Sequence, residues 1–275
     1  MKLFTKLITA GCLFLAAGCQ EPEAAEDMLY VRYFSAGKAD AILLYTDESA
    51  VLIDTGLDGY ASQILRELNR LGIDSLDAMI LTHFDKDHIG SADEVLENIS
   101  VGHVWVSDSP KDSDEYEDLM EALEQTGIHA EMVFGDERET FELDGITYTI
   151  DGPDEEEYED NPSNNSSLIV SVQYGETSFL FMGDAQNDRI REYLEDDASS
   201  YDVLKVPYHG NYQKQLKNLI ASVQPEIAVI TCSSFEGGEE KTMNLLEENG
   251  VETFRTDKGS VLIASDGKNI TADYN

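Results

Sequence analysis

Cations are what this sequence has least of: 18 Lys and Arg stand against 56 Asp and Glu in 275 residues, a formal net charge of −38 at pH 7. Such a surface repels nucleic acid and anionic lipid at long range, which argues against nonspecific polyanion binding unless salt screens it. The excess suits a soluble protein adapted to salty or alkaline surroundings better than one that seeks an acidic partner. Cysteine is nearly absent, occurring only as Cys12, Cys19 and Cys232, so a disulfide-stapled scaffold is excluded. The apolar run Leu7 to Ala17 is too short to span a bilayer as a mature helix. No short internal repeat is visible. Seven of the ten residues from Asp151 to Asp160 are acidic, but calcium-loop spacing is missing, and the stretch reads as a solvated, mobile loop.

Among what is present, Lys2 and Lys6 followed by that apolar run read as an export signal. Leu15-Ala16-Ala17-Gly18-Cys19 resembles a bacterial lipobox, which implies cleavage before Cys19 and lipidation of Cys19. Residues 1–18 are then the signal, 19–27 a tether, and 28–275 a single globular domain, extracytoplasmic and joined to the membrane through its lipid anchor only. Cys12 leaves with the signal and Cys19 is acylated, which leaves Cys232, read as a small buried side chain after the apolar run Ile227 to Thr231.

The hydrophobic content of 41% is enough for a sizeable core. Strand patterns cover Leu29 to Phe34, Ala41 to Tyr45, Val51 to Asp54 and Ala78 to Leu81; helical spacing links Ile64, Leu65, Leu68 and Leu71 before Gly72. Further helices are expected at Ser91 to Asn98 and Glu115 to Gln125, a strand at His103 to Val106, and a hairpin from Phe141 to Ile150 turning at Asp144-Gly145. The second half repeats the theme: strands at Leu168 to Tyr174, Ser178 to Met182, Val203 to Val206 and Ile227 to Thr231, and helices at Asn187 to Leu194, Gln213 to Ser222 and Lys241 to Glu248. Closing strands follow around Val261 and Ile270. Two β-rich halves, each with helices, predict two sheets packed face to face with helices outside.

The informative stretch is Thr82-His83-Phe84-Asp85-Lys86-Asp87-His88-Ile89-Gly90, with two imidazoles and two carboxylates within six positions on a strand-to-helix loop. Neutral imidazole and carboxylate are donors for Zn²⁺, Mn²⁺ or Fe, and a loop can converge side chains that a helix would scatter. The competing reading is chance, because any histidine in so acidic a chain has acidic neighbours. His103 and His129 match no motif and read as ordinary surface or core histidines.

This segment resembles the HxHxDH signature of the metallo-β-lactamase superfamily, in the variant with Asp at the second position that is typical of the hydrolase domain of ComEC/Rec2 DNA-internalisation proteins. Ala36-Gly37-Lys38-Ala39-Asp40-Ala41 resembles that group's VGQGDA, and Val51-Leu52-Ile53-Asp54-Thr55-Gly56 its LIDTG. Asn164-Asn165-Ser166-Ser167-Leu168 resembles NNxSL, Phe181-Met182-Gly183-Asp184 LxGD, and Leu204-Lys205-Val206-Pro207-Tyr208-His209-Gly210 LKVPHHG. Several motifs in order are far more specific than any one alone.

The resemblance implies an α/β fold, a four-layer αββα sandwich, holding two divalent metal ions, Zn²⁺ first and Mn²⁺ as the alternative. His83 and Asp85 would hold one ion, Asp87, His88 and His209 the other, and Asp184 would bridge; Asp87 and Asp184 are the carboxylates expected to act in catalysis. The group's His-His pair is Tyr208-His209 here, which leaves open which position coordinates. Asn165 occupies the segment where other members place a further histidine. Asp40, Asp54, Asn165, Ser167, Lys205 and Tyr208 are expected to orient ligands or meet substrate. Lys205, Lys214 and Lys217 suggest an anion-binding edge near His209, with solvated helix-face lysines as the plain alternative.

The implied chemistry is hydrolysis by metal-activated water, with no side-chain nucleophile. A phosphodiester or other phosphoester is the favoured substrate. An ester, lactone, β-lactam or cell-envelope substrate, or a catalytically silent binding role, are the alternatives. DNA is disfavoured by net charge, and where ComEC-like proteins carry NxYGHP this chain has Ser233-Ser234-Phe235-Glu236-Gly237-Gly238, without histidine.

Overall fold

The computed structural model describes residues 28–135, 138–155, 158–197 and 199–275; the expected export signal, the Cys19 acylation site and the tether lie outside them. The first half runs β1 (Leu29–Tyr33), β2 (Ala41–Tyr45), β3 (Ala50–Thr55), α1 (Ala61–Leu71), β4 (Ser75–Leu81), α2 (Lys86–Ile89), α3 (Ala92–Asn98), β5 (Ser100–Ser107), α4 (Asp114–Thr126) and β6 (Ala130–Val133). The second runs β7 (Glu139–Leu143), β8 (Ile146–Asp151), α5 (Pro162–Asn165), β9 (Ile169–Tyr174), β10 (Thr177–Phe181), α6 (Asn187–Asp196), β11 (Val203–Lys205), α7 (Leu216–Val223), β12 (Ile227–Ile230), α8 (Glu240–Glu248) and β13 (Glu252–Arg255). The chain then returns to the first sheet as β14 (Val261–Ser265) and β15 (Ile270–Tyr274), with β14 antiparallel to β1.

One sheet has the order β15-β14-β1-β2-β3-β4-β5-β6 and the other β13-β12-β11-β10-β9-β8-β7. Strands β2 and β3 are buried at every position, which is why they read as continuous apolar runs rather than alternating ones. Three cores separate four layers. Val31, Ile53, Tyr148, Phe179 and Phe181 fill the space between the sheets. Leu52, Ile64, Leu68, Val95 and Leu119 join the first sheet to its helices, and Leu180, Ile190, Leu204, Leu219 and Leu246 join the second to its own. The expected αββα sandwich is therefore the observed architecture.

Local chemistry sets the helix ends. Gly72 and Gly127 close α1 and α4 in the left-handed conformation, at φ of 75° and 71°, where a side chain is disfavoured. The Ser113 hydroxyl caps α4 by accepting from the Tyr116 amide. Strands β6 and β13 escape the sequence reading. Each has four residues and is only partly buried, so neither shows a clean alternation; parallel pairing to β5 and β12 makes them strands. The acidic stretch is also not simply solvated: Asp151 is buried and pairs with Arg189 and Arg138, and Tyr158 donates to Glu192 at 2.6 Å.

In each sheet, antiparallel strands give way to a parallel run, β3 to β6 in one and β10 to β13 in the other. Loops leaving the carboxyl ends of parallel strands frame a crevice. Here β3 ends beside Asp54, β4 leads into His83, β10 into Asp184 and β11 into His209.

Helix α2 is seated directly on the loop after β3, where the Gly90 amide donates to the Gly56 carbonyl at 2.9 Å. A Cβ at Gly90 would lie 2.4 Å from both the Asp58 nitrogen and the Lys86 oxygen, while its φ of −59° suits any residue. Gly90→Ala should therefore cost about 2–3 kcal/mol in urea unfolding, through steric displacement alone. Gly59→Ala, at a φ of 75° with open space around it, should cost nearer ~1 kcal/mol.

Candidate metal centre

Three segments, those following β4, β10 and β11, bring five of the six expected donors together. The two oxygens of Asp184 lie between imidazoles: Oδ1 is 3.3 Å from His88 Nε2 and Oδ2 is 3.2 Å from His209 Nε2. His209 Nε2 is 3.5 Å from Asp87 Oδ2, and the His83 and His88 rings are 4.1 Å apart. His83, His88 and Asp184 form one compact donor group, and Asp87, His88 and His209 another. Asp85 stands at the rim, with Oδ2 3.9 Å from His83 Nε2 and Oδ1 accepting from Lys111 and Ser163.

The donors fit a metal. His83 Nε2, His88 Nε2, His209 Nε2 and Asp184 Oδ1 are all buried without a hydrogen-bond partner. Buried polar atoms are costly when unsatisfied, and two overlapping groups, His83 with His88 and Asp184 and Asp87 with His88 and His209, offer the nitrogen and carboxylate donors that divalent transition ions take.

Each imidazole has its other nitrogen occupied, which fixes the tautomer. His88 Nδ1 donates to Asp54 Oδ2 at 2.7 Å, and His209 Nδ1 to the Thr231 carbonyl at 3.0 Å. His83 Nδ1 faces Thr82 Oγ1 at 3.2 Å and Ser167 Oγ at 3.4 Å. Both hydroxyls have already donated, to Asp54 and to the Asn164 carbonyl, so they accept. All three rings therefore aim Nε2 at the centre. Asp54 holds its place at φ 56° by accepting from the Thr82 amide and hydroxyl, both at 2.8 Å.

Behind the ligands lies a buried ion pair. Lys205, fully buried, pairs with Asp40 and donates to the Gly183 carbonyl at 2.8 Å; Asp40 Oδ1 is 3.5 Å from His209 Nδ1. Tyr208 and His209 both take a left-handed φ of 51°, a strained conformation for residues with a Cβ. It turns His209 inward and leaves Tyr208 half-buried.

Burial and neighbouring charge compete at each of these groups. Burial opposes protonation of His88 and His209, but Asp184 with Asp54, and Asp184 with Asp40, outweigh it and raise both imidazoles. Burial, helped by the charge on His88, pushes His83 down to about 3. Burial also works against an ionised Asp184, yet His209 and His88 hold it well below the usual carboxylate range. At His88 and His209 a metal and a proton would compete for the same Nε2 positions.

Three expectations need correction or narrowing. The Asn165 side chain is taken up by backbone groups: its Oδ1 accepts from the Gln186 and Arg189 amides at 3.1 and 3.3 Å, tying down the start of α6, and its amide donates to the Asp160 carbonyl at 2.6 Å. Lys205 forms no edge with Lys214 and Lys217, because β11 is an interior strand that buries it while the other two are exposed. Ser167 works through the backbone as well as His83, accepting from the Asp184 amide at 3.1 Å. His103 is exposed and stacks on Trp105, His129 is exposed, and Cys232 is buried and free. The sequence reading missed Lys38, Lys111 and Ser163. Lys38 donates to Asp87 Oδ2 at 3.1 Å. It was findable inside Ala36 to Ala41, where a lysine stands at the glutamine of VGQGDA; nothing local marks Lys111 or Ser163.

A family model described as the metallo-beta-lactamase superfamily matches residues 35–233, a span that holds all six expected donors. The chain belongs to the metallo-β-lactamase superfamily. This superfamily member is 28% identical over 271 residues to ComE operon protein 3 of Bacillus subtilis, covering 89% of the chain and 33% of the relative. It is 25% identical over 250 residues to competence protein ComA of Neisseria gonorrhoeae, covering 88% and 33%. The chain thus spans about a third of the length of these relatives. Its fold is shared with the metallo-β-lactamase fold protein YhfI from Bacillus subtilis, at a TM-score of 0.57 and 11% identity over 90% of this chain and 100% of that one.

Adding Zn²⁺ or Mn²⁺ to chelator-stripped protein should raise the melting temperature by roughly 5–10 °C. Because metal and protons compete, the rise should be larger at pH 8 than at pH 6. Asp184→Asn should abolish it. Asp54→Asn, which frees the His88 ring, should weaken metal affinity by about 10- to 100-fold in competition with a chelating dye.

Proposed function

We propose that this superfamily member is a metal-dependent hydrolase of phosphoesters, held at the extracytoplasmic face of a membrane by the lipid on Cys19. The observation that carries the reaction class is the set of partnerless donor atoms, His83, His88 and His209 Nε2 with Asp184 Oδ1, in a chain similar to competence proteins.

His83, Asp85, Asp87, His88, Asp184 and His209 would hold the metals. When bound, two divalent ions supply Lewis acidity and make water reactive near neutral pH. The chain's own residues provide aim and exclusion. Asp54, Thr231 and the Thr82 and Ser167 hydroxyls keep the rings oriented, and burial of all three imidazoles at 0% exposure keeps bulk water from their nitrogens. Asp184 presents one oxygen to each of two imidazoles and stays ionised there, since both rings hold its carboxyl well below the usual range. Asp87, whose side chain is 16% exposed, is where the buried donors meet solvent. The Ser167 and Thr82 hydroxyls are buried and committed to the Asn164 carbonyl and to Asp54.

The test is hydrolysis of bis-p-nitrophenyl phosphate by zinc- or manganese-loaded protein. Turnover should vanish with chelator, return with metal, and fall at least ~100-fold in Asp184→Asn. Duplex DNA should be cleaved more slowly than the small diester at low salt, given the net charge of −38. Metal-dependent cleavage of p-nitrophenyl acetate or a β-lactam, with no action on the phosphodiester, would reverse the substrate assignment.

A further inference from the structure

The rim of the centre carries two lysines in a chain poor in cations. Lys38 reaches in from the loop between β1 and β2 and pairs with Asp87 Oδ2 at 3.1 Å; its ammonium lies 5.8 Å from the centre of the Tyr208 ring. Lys111 reaches in from the loop between β5 and α4 and pairs with Asp85 Oδ1, which Ser163 also engages. One lysine stands on the Asp87 and His209 side of the donors, the other on the His83 and Asp85 side. Both side chains are partly open to solvent, at 25% and 37% exposure, unlike Lys205, which is sealed beneath the site.

We infer that Lys38 and Lys111 form an anion clamp that binds the charged oxygens of a compact phosphoester across the metal centre, an inference that rests on the phosphoesterase reading. Their present partners, Asp85 and Asp87, are the carboxylates expected to turn to the metals. Divalent ions held there would compensate those carboxylates, which would leave the ammonium groups free to pair with a substrate anion. Lysine suits this task as a point charge on a flexible stem, able to exchange one oxygen partner for another. The geometry also selects for size. Two cations bracket the mouth while the molecule as a whole carries −38. A small phosphoester meets attraction at the mouth within about a Debye length of 8 Å, whereas a long polyanion meets repulsion from the surface beyond it. Ser163 shares Asp85 with Lys111, and the half-buried Tyr208 ring lies beside Lys38.

The test titrates inorganic phosphate into holoprotein whose metal content has been measured, using the wild type, Lys38→Met, Lys111→Met, the double variant and the two Lys→Arg variants. Each Met substitution should weaken phosphate binding by about five- to tenfold at unchanged metal content, and arginine should restore most of it. The KM for bis-p-nitrophenyl phosphate should rise by a similar factor. Phosphate affinity that ignores both lysines, or wild-type holoprotein that binds no phosphate, overturns the clamp. Tighter metal uptake in the Met variants with unchanged phosphate binding does so too, by reducing the lysines to counter-ions of the ligands. Lysine-dependent phosphate binding without any phosphodiester turnover leaves the clamp standing and removes the phosphoesterase reading; phosphodiester turnover with a lysine-independent KM does the opposite.

Discussion

Everything at this centre follows from the need to compensate three carboxylates, Asp40, Asp54 and Asp184, that are at most 2% exposed. An ionised carboxylate withdrawn from water costs several kcal/mol unless charge and hydrogen bonds replace its hydration. Each has a different solution. Asp40 has the ammonium of Lys205, Asp54 has the Thr82 amide and hydroxyl and the His88 ring, and Asp184 has two imidazoles. These solutions interlock, because His88 serves both Asp54 and Asp184, and His209 lies between Asp184 and Asp40. A cluster compensated in this way holds its rings rigidly, while Nε2 of each ring stays without a hydrogen-bond partner.

The sandwich delivers those groups because both of its sheets end their parallel runs at the same crevice. The Leu168 amide donates to the Thr82 carbonyl at 2.8 Å, joining the second half of the chain to the loop that carries His83. Strain is concentrated nearby, at Asp54, Tyr208 and His209, all with positive φ and a Cβ. Such conformations persist where surrounding contacts over-determine them: the Thr82 bonds secure Asp54, and the Thr231 carbonyl and the Gly238 amide secure His209.

Charge is distributed unevenly on purpose-built terms. Arg189, buried beneath the acidic segment, donates to the Ser167 carbonyl at 3.1 Å and to the Asp151 carbonyl at 2.8 Å while pairing with Glu192. It ties the acidic strand end to the turn that supports His83 and Asp184. Lys205 and Arg189 thus hold carboxylates and carbonyls inside, while Lys38 and Lys111 stand at the rim on Asp87 and Asp85.

Sequence alone determined the layers and singled out six candidate donors, five of which the fold brings together. Continuous apolar runs mark strands covered on both faces, helical spacing marks the outer layers, and the residues from Asp40 to His209 match ordered motifs whose spacing survives without coordinates. It could not determine which atom each donor presents, that Asn165 steadies α6, that Lys205 is sealed while Lys38 and Lys111 are not, or that β6 and β13 are strands. Those outcomes depend on contacts between residues dozens of positions apart, such as His88 with Asp54 and Lys111 with Asp85. Local pattern encodes the period and polarity of a segment; only packing decides which neighbour satisfies a given nitrogen or oxygen once water has been removed.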